Sequence, residues 1–329
     1  MNNIERFNAV LNFQKPDRLP IIEWAPFWDK TIARWKSDGL PENINHHSQA
    51  ADYFGLDKLD VLWVNQRESG CPEPVYYGAP VIHSEKDYVD IKKYLFPKEI
   101  FPPAQIEWMV KHQESDGALW VAFPGFFWFP RTLFGIENHL FAFYDYPDLM
   151  RRINEDLLEF LSIAIDEIKK YIKPQMFVLN EDLSYNHGPM ISKEIFDEQL
   201  ADFYVKAIEI VKPSGAKLFL DSDGLVDEPI DWYYNLGIRG FLPLEKQAGV
   251  DLVKYRKKYP DMLFLGGFDK MCMSKGEQAM REEFERLLPV MKSGGYILGV
   301  DHQTPPEVSL ENYKTFLNLF REYATKAVV

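Results

Sequence analysis

Eight short apolar runs, separated by segments with helical spacing, constrain the fold of this chain more than any other feature. The runs are 19–24, 57–64, 119–123, 176–179, 217–220, 239–242, 262–265 and 296–300. Apolar residues at helical spacing fill most of the intervals, for example 148–171 and 192–211. Strands that alternate with helices pair in parallel, and eight such units close into a barrel. We therefore expect an α/β fold, a single (β/α)8 TIM barrel.

Two segments outside this repeat extend the expected barrel. Residues 2–12 place four apolar side chains on one helical face and predict an N-terminal helical extension. The Pro- and Tyr-rich segment 71–82 predicts a short insertion after the second strand. A doubly wound open sheet is the alternative fold, but it more often carries a Gly-rich turn after its first strand, and none follows 19–24. No linker or repeat divides the chain, so we expect one domain over 1–329.

Acidic side chains follow the carboxyl ends of six of the eight expected strands. In the segment 217–224 a buried strand stops on Asp221 and Asp223, which share a side if the chain stays extended. Barrels of this kind hold their active sites at these ends. The residues expected there are Glu23, Asn65, Glu181, Asp182, Asp221, Asp223, Glu245, Asp269, Asp301 and His302. Helix capping explains some of these acids, whereas six together favour a site for cations, protons or polar ligands.

Aromatic and histidine side chains add further candidates. The aromatic run 126–129 lies between Pro and Gly residues after the third strand and predicts a pocket wall or lid, with core packing as the alternative. His302 ends the last strand beside Asp301, and His187 follows the fourth strand next to Tyr185. A simple loop hydrogen bond is the alternative role for His302.

Composition excludes several classes of partner. The net charge of −13 over 329 residues disfavours nucleic acid, which requires a basic face. Cys71 and Cys272 stand in unrelated contexts, so neither a disulfide framework nor a Cys-x-x-Cys metal pair is expected. No apolar run approaches the roughly 18 residues of a membrane span, and no basic–apolar leader opens the chain. We expect a cytoplasmic protein without nucleic-acid or membrane partners.

Several segments resemble the uroporphyrinogen decarboxylase superfamily, which also holds methyltransferases that exchange methyl groups between corrinoid proteins and thiols. The similar segments are 180–192 (NEDLSYNHGPMIS), 217–224, 243–251, 265–269 and 294–316 (GGYILGVDHQTPPEVSLENYKTF). They cover the second half of the chain better than the first. The resemblance implies the barrel fold, either decarboxylation or corrinoid-linked methyl transfer, and possible homodimerisation.

Departures from the family pattern disfavour porphyrinogen decarboxylation. True decarboxylases carry an Arg-rich segment after the first strand, whereas residues 24–35 offer aromatic side chains and only Arg34. Their catalytic Asp after the second strand is replaced by Val64 or Asn65. We find no basic residues at the expected strand ends, and so acidic a rim would repel a porphyrinogen with its eight carboxylates. His302 does match the histidine near the family's carboxyl end.

The methyltransferase branch resembles the chain more closely and implies a metal site. Those enzymes activate a thiol on zinc held by a His-x-Cys and a further Cys, and the aligned positions here are Asp221, Asp223 and Asp301. Carboxylates favour a harder divalent ion, or an oxygen substrate such as a methyl ether, over thiol-activating zinc. Alternatively the site is metal-free, and the carboxylates act as acid and base on a small polyol-like molecule.

We therefore expect a methyltransferase- or demethylase-like enzyme for a small molecule, working with a corrinoid or a corrinoid protein. The alternatives are a decarboxylase, or lyase, of uroporphyrinogen or a smaller acid, and a non-catalytic ligand-binding homologue. Candidate catalytic residues are Asp221, Asp223, His302, Glu181 and Tyr185. Candidate substrate-binding residues are Glu23, Trp24, Phe126, Phe127, Trp128, His187, Glu245 and Asp269. Candidate ligands for zinc or a harder ion are Asp221, Asp223, Asp301 and His302.

Overall fold

A computed structural model describes residues 1–328 as a curved parallel sheet surrounded by helices. The strands are β1 (Leu59–Trp63), β2 (Ala118–Pro124), β3 (Met176–Asn180), β4 (Ser184–Tyr185), β5 (Gly188–Pro189), β6 (Lys217–Asp221), β7 (Gly240–Leu242), β8 (Leu263–Phe268) and β9 (Tyr296–Val300). Seven of them form one sheet in the order β1-β2-β3-β6-β7-β8-β9, in which every neighbouring pair is parallel. Strands β4 and β5 form a separate antiparallel hairpin. The TIM-barrel-like fold is confirmed, with seven strands where eight were expected.

Helices follow each strand of the sheet and cover its outer face. They are α1 (Asn3–Leu11), α2 (Asp29–Ser37), α3 (His47–Phe54), α4 (Glu85–Ile91), α5 (Pro103–Glu114), α6 (Trp128–Phe134), α7 (Ile136–Asp145), α8 (Pro147–Ile168), α9 (Lys193–Gln199), α10 (Ala201–Val211), α11 (Pro229–Leu236), α12 (Leu252–Lys258), α13 (Glu277–Lys292) and α14 (Leu310–Lys326). The expected N-terminal helix is therefore present as α1. Within residues 1–328 no helix combines the length and the apolar character needed to cross a membrane.

Residues 19–24 account for the missing strand. The Asp57 N–H donates to the Ile21 carbonyl at 2.8 Å, and the Trp24 indole N–H donates to the Val300 carbonyl at 2.6 Å, so the segment contacts both edges of the sheet. Pro20 has no N–H, and the Ile21 N–H donates to the Asp57 carboxylate at 2.8 Å. Because these donors are absent or engaged, no regular strand ladder forms there.

The register of the sheet brings the carboxyl ends of the central strands to one level. Pro124, Asn180, Asp221 and Leu242 are successive partners across β2, β3, β6 and β7. Neighbouring strands lie about 4.8 Å apart. The segments that leave these strands therefore meet on one rim, which is the part of the fold that positions the candidate site.

The expected insertion after β1 packs against helices α6 and α7. The N–H groups of Val81 and Ile82 both donate to the Leu133 carbonyl, and the Ile136 N–H donates to the Gly78 carbonyl. Gly135 has φ +78°, and a Cβ there would lie 2.7 Å from the Gly78 oxygen. Only glycine allows this approach, so Gly135 fixes the insertion against the rim.

Candidate functional site

Polar side chains from four segments of the rim meet at one place, which we call the acidic cluster: Asp182, Asp221, Asp223, Glu245 and His302. These residues follow or end β3, β6, β7 and β9. One donor atom from each of Asp223, Glu245 and His302 lies within 4.8 Å of the others, and the same holds for Asp182, Asp221 and Asp223. Asp223 belongs to both groups and is therefore the centre of the cluster.

Backbone contacts fix the segment that carries Asp223. The Gly224 N–H donates to the Glu245 carboxylate at 2.9 Å, and the Leu225 N–H donates to the Tyr185 carbonyl at 2.9 Å. Gly224 has φ +82°, and a Cβ there would lie 2.6 Å from the Tyr185 backbone. The glycine after Asp223 is therefore required by this close approach, and it holds Asp223 beside Glu245.

Two non-glycine residues next to the cluster have a left-handed backbone. Asp182 has φ +42° and Leu244 has φ +68°. This conformation costs a non-glycine residue about 1–2 kcal/mol. Such residues persist where their surroundings hold them, and they concentrate at functional sites. The Asp182 carboxylate accepts the Asp223 N–H at 3.4 Å, so the strained backbone places that carboxylate inside the cluster.

Burial and mutual repulsion weaken the acids of the cluster. Burial, followed by the charges of Asp182 and Glu245, raises the pKa of Asp223 to about 7. Burial also raises the pKa of Asp221 well above its ordinary value, and neighbouring carboxylates add to this. The pKa of Asp182 is raised by burial, against the opposing effects of a hydrogen bond and the Arg131 charge. Carboxylates this close favour a shared proton or a bound cation.

His302 and Trp24 close the cluster on the side of β9. The His302 Nε2 lies 3.8 Å from the Asp223 carboxylate, and burial lowers the pKa of the imidazole. The Trp24 ring meets His302 edge-on with centroids 6.1 Å apart, and it stacks on Trp120 at 6.0 Å. Trp24 therefore forms a fixed wall beside His302.

Asp301 is not available as a metal ligand, contrary to the prediction. Its carboxylate is fully buried and accepts the N–H groups of Lys246 at 2.9 Å and Lys270 at 3.3 Å. The Lys270 ammonium pairs with it at 3.2 Å and lies 4.0 Å from Glu245. Asp301 therefore anchors Lys270, which brings one positive charge to the edge of the cluster.

Glu181 holds a helix end and has no access to a substrate. Its fully buried carboxylate accepts the N–H groups of Phe126 and Phe127 at 2.8 Å and of Trp128 at 3.3 Å. These N–H groups lie at the start of α6, and the unpaired N–H donors at the start of a helix favour a negative charge. Burial raises the pKa of Glu181 to about 7, and the hydrogen bonds oppose that increase. The predicted catalytic role of Glu181 is wrong because its side chain is enclosed by the protein.

Phe126 and Phe127 pack in the core, so the predicted pocket wall is wrong for both. Phe126 contacts Phe203 of α10 with ring centroids 5.3 Å apart, and Phe127 contacts His139 of α7 at 4.6 Å. Both phenylalanines are fully buried. The turn into α6 directs them toward the outer helices and leaves only Trp128 of the three predicted residues partly exposed.

Two acids predicted to bind substrate have other partners. Glu23 is buried and accepts a hydrogen bond from the Tyr313 hydroxyl at 3.2 Å, and burial raises its pKa to about 8. Its substrate-binding role is wrong because the side chain points into the layer beneath α14. Asp269 accepts the Met271 N–H at 2.9 Å and caps the short 3₁₀ turn after β8. The capping alternative therefore accounts for Asp269.

The hairpin β4–β5 carries Tyr185 and His187 at the outer edge of the rim. Both side chains are exposed, and their rings meet edge-on with centroids 5.7 Å apart. Neither belongs to the two donor groups of the cluster. Their roles in catalysis and binding therefore stay predictions.

The same rim carries basic residues that the sequence did not reveal. A cavity of about 290 Å³ opens where β1 and β2 end, and its lining includes Arg67, Arg131, Trp128 and Tyr77. The expectation of strand ends without basic residues is therefore wrong. Arg67 lies four residues beyond β1, and Arg131 lies two residues after the aromatic run 126–129. Only the path of α6 brings the two together.

The acidic cluster suits a hard divalent ion better than thiol-activating zinc. Its donors are four carboxylates and one imidazole, and oxygen-rich sets favour ions such as Mg²⁺ and Mn²⁺. The Asp221 carboxylate also receives no hydrogen bond from residues 1–328, which leaves it free for an ion. Cys71 and Cys272 lie outside both donor groups, and burial raises the pKa of each thiol.

Fold and site define a TIM-barrel-like protein with a polar centre at the carboxyl ends of its strands. The model of the uroporphyrinogen decarboxylase family matches residues 133–323, more than half of the chain. The chain belongs to the uroporphyrinogen decarboxylase family. No curated protein sequence matches it.

Solved structures extend the fold similarity to the whole chain. A methyltransferase from Methanosarcina mazei is 15% identical, with 98% of this chain and 99% of that chain covered and a TM-score of 0.67. A Listeria monocytogenes protein assigned as a vitamin-B12 independent methionine synthase is 12% identical, covers 94% and 96%, and has a TM-score of 0.46. Only the first similarity has a TM-score high enough to be informative, and at 15% identity it concerns the fold alone.

Proposed function

We propose that this protein is a methyltransferase that takes a methyl group from a small molecule and passes it to a corrinoid acceptor, free or protein-bound. The observation that carries the proposal is Asp223, a carboxyl with 41% of its side chain exposed, at the centre of the acidic cluster, with a pKa of about 7. A general acid works best when its pKa is close to the working pH. Family membership and the fold similarity to a methyltransferase support the same class of reaction.

In the proposed step Asp223 supplies the proton that the leaving group needs. The bond between the methyl carbon and the substrate oxygen breaks, and its electron pair stays on the oxygen. The methyl group passes to the nucleophilic acceptor while Asp223 protonates the oxygen, so the product leaves as a neutral hydroxyl compound. Solvent then reprotonates the carboxylate. His302, 3.8 Å from Asp223, lies where it can exchange that proton.

As the alternative to this proton, we propose that the cluster takes up one divalent cation harder than zinc, in which case Asp223 is a ligand and not the proton donor. Asp221, Asp223 and His302 would hold it; Asp221 shares one donor group with Asp182, His302 shares the other with Glu245, and Asp223 belongs to both. A bound cation would polarise the leaving oxygen as a Lewis acid. It would also neutralise the repulsion that otherwise keeps a proton on the cluster.

Methyl transfer is tested by incubating the protein with cob(I)alamin and a panel of methyl ethers, methylamines and thioethers. The expected result is an increase in methylated corrinoid with at least one donor, lost in Asp223→Asn. The exposed Asp197 of α9 pairs with Lys193 at 2.5 Å, and Asp197→Asn is the matched control. Methylation that persists in Asp223→Asn would contradict the role of the cluster. No methylation with any donor would favour a non-catalytic ligand-binding protein.

Metal binding is tested by elemental analysis after dialysis against Mg²⁺, Mn²⁺ and Zn²⁺. We expect about one ion per chain, taken up from Mn²⁺ or Mg²⁺ and lost in Asp221→Asn. Retention of the ion in Asp221→Asn, or binding of Zn²⁺ alone, would contradict the proposed ligand set.

Decarboxylation of a small acid is a second candidate, because Arg67 and Arg131 line the neighbouring cavity and suit a carboxylate substrate. The two reactions differ in their product. Release of CO₂ from a carboxylic acid without methylation of the corrinoid would favour the decarboxylase.

A further inference from the structure

The guanidinium of Arg131 has an unusual lack of partners. No carboxylate of residues 1–328 lies within ion-pair distance of it, and no group in that part of the chain accepts a hydrogen bond from it. The guanidinium lies over the face of Trp128, 4.8 Å from the ring centroid. A guanidinium carries five N–H donors that suit carboxylate and phosphate groups. Arg131 is thus a partly exposed cation with its full hydrogen-bonding capacity free.

Arg67 reaches the same cavity from the end of β1. Its Nη2 donates to the Thr132 hydroxyl at 2.8 Å and to the Thr132 carbonyl at 3.1 Å. These bonds hold the guanidinium against the residue next to Arg131. Within the described part of the chain no acid pairs with Arg67 either. Two positive charges therefore line one cavity of a protein that carries 50 acidic and 37 basic residues.

The remainder of the cavity is mostly apolar and suits a flat body. Trp128, Tyr77, Pro124 and Ile136 contribute to its walls. The insertion after β1 supplies Tyr77, and the approach of Gly135 to Gly78 holds that insertion in place. A volume of about 290 Å³ fits a small molecule better than a porphyrinogen.

The cavity adjoins the acidic cluster on the same rim. Pro124, in its wall, is level with Asp221 two strands away, which corresponds to about 10 Å. The Arg131 charge also acts on Asp182. An anionic group is attracted to the arginines and repelled by the carboxylates, so a molecule in the cavity has one favoured orientation.

We propose that Arg67 and Arg131 bind the anionic group of a flat monoanionic small molecule, with its apolar body against Trp128 and its reacting end toward Asp223. This assignment adds a substrate class to the proposed methyl transfer. It depends on that proposal only for the reaction that the bound molecule undergoes. Binding at the arginines is a separate event, and it can be measured without turnover.

Isothermal titration calorimetry with benzoate and benzamide tests the proposal, because the two probes share their shape and differ in charge. We expect benzoate to bind with a Kd at or below about 10 mM. Benzamide should bind about 10- to 100-fold more weakly, since it loses charge-assisted hydrogen bonds. Inorganic phosphate is the third probe and distinguishes a carboxylate site from a phosphate site. A site for a flat carboxylate should bind benzoate more tightly than phosphate.

Arginine variants locate the binding site. Arg131→Gln should weaken benzoate binding about tenfold or more, and Arg131→Lys should weaken it less. Arg67→Gln is the second variant, checked for folding by circular dichroism because it removes the bonds to Thr132. Arg151, an exposed residue of α8 without a carboxylate partner in residues 1–328, provides the control Arg151→Gln.

Several outcomes would overturn the proposal: no saturable benzoate binding, equal binding of benzamide, tighter binding of phosphate, or equal losses in Arg131→Gln and Arg151→Gln. Asp223→Asn separates this result from the proposed reaction. If the variant loses methyl transfer and keeps benzoate affinity, both proposals stand. If the wild-type protein binds benzoate through the arginines and transfers no methyl group, the binding site stands and the reaction falls.

Discussion

The rim of the sheet has two halves of opposite charge. Beyond β3, β6 and β7 it presents Asp182, Asp221, Asp223 and Glu245, with the Lys270 ammonium at the edge. Beyond β1 and β2 it presents Arg67 and Arg131, which lack carboxylate partners among residues 1–328. Elsewhere the chain pairs such groups directly, as Arg18 does with Asp57 at 2.6 Å.

Keeping these charges apart on one rim has a cost, because unpaired buried charges are desolvated without a compensating partner. Proteins retain such arrangements mainly where a ligand or a reaction uses them. The difference between the halves therefore indicates a division of work. We propose that the arginine half orients an anionic molecule and that the carboxylate half supplies the proton or holds a cation.

The largest expected effect falls on the carboxylate half. Asp223→Asn should lower methyl transfer by about 10²- to 10⁴-fold, because the amide cannot donate an acidic proton to the leaving group. Initial rates of corrinoid methylation measure the loss. Asp197→Asn should retain the wild-type rate. A comparable loss in that control, or an Asp223→Asn rate within twofold of wild type, would remove the distinction between the halves.

A smaller effect is expected at the wall of the arginine half. Gly135→Ala should destabilise the protein by about 2–4 kcal/mol, because the new Cβ meets the Gly78 oxygen and φ is +78°. Gly215→Ala is the control: φ is +76° there, but nothing lies within 4 Å of the new Cβ. It should cost only about 1–2 kcal/mol. Urea unfolding measures both, and equal losses would show that the insertion is not held by this contact.

The pH dependence of stability separates the halves further. The folded state of the metal-free protein keeps a proton on Asp223 up to a pKa of about 7, whereas the unfolded carboxyl loses it near pH 4. The folded state thus binds more protons between these values, and stability falls as pH rises through that window. Solvent screening of the half-exposed side chain limits the effect to about 1 kcal/mol.

Asp223→Asn removes this contribution. Thermal unfolding in EDTA should show the variant more stable than wild type at pH 8 and equal to it at pH 4. A variant that is less stable at pH 8 would mean that the Asp223 carboxylate is stabilised by a partner in the folded protein.

The smallest effect concerns salt. Benzoate affinity should fall about two- to fivefold between 0.05 and 0.5 M NaCl, since partly exposed guanidiniums are screened while the apolar contacts are not. Benzamide affinity should stay constant over the same range. A benzoate affinity independent of salt would indicate that the arginines are not the anchor.

The sequence predicts the scaffold well because strand periodicity and strand ends are local features. The alternation of apolar runs with helices predicted the barrel, and Asp221 with Asp223 was found from a strand that stops on two acids. Residues 19–24 were wrongly predicted to be a strand because the pattern of apolar residues does not show which backbone N–H groups are free. Pro20 has no N–H, and the Ile21 N–H donates to the Asp57 carboxylate.

The function of individual acids was harder to predict because it depends on partners distant in the chain. Glu181 and Asp301 occupy strand ends like Asp223, yet one meets the N–H groups of α6 and the other meets Lys270. Arg67 and Arg131 are 64 positions apart and meet only through the packing of α6 against the end of β1. No local pattern distinguishes these outcomes.

The division of the rim is tested most directly by one comparison of methyl donors. A mixture of 2-, 3- and 4-methoxybenzoate and the corresponding mixture of methoxybenzamides are each supplied to the wild-type protein with cob(I)alamin. We expect corrinoid methylation from the methoxybenzoates with a kcat/KM about tenfold or more above that from the amides. Equal rates from the two mixtures, or no methylation from either, would contradict it.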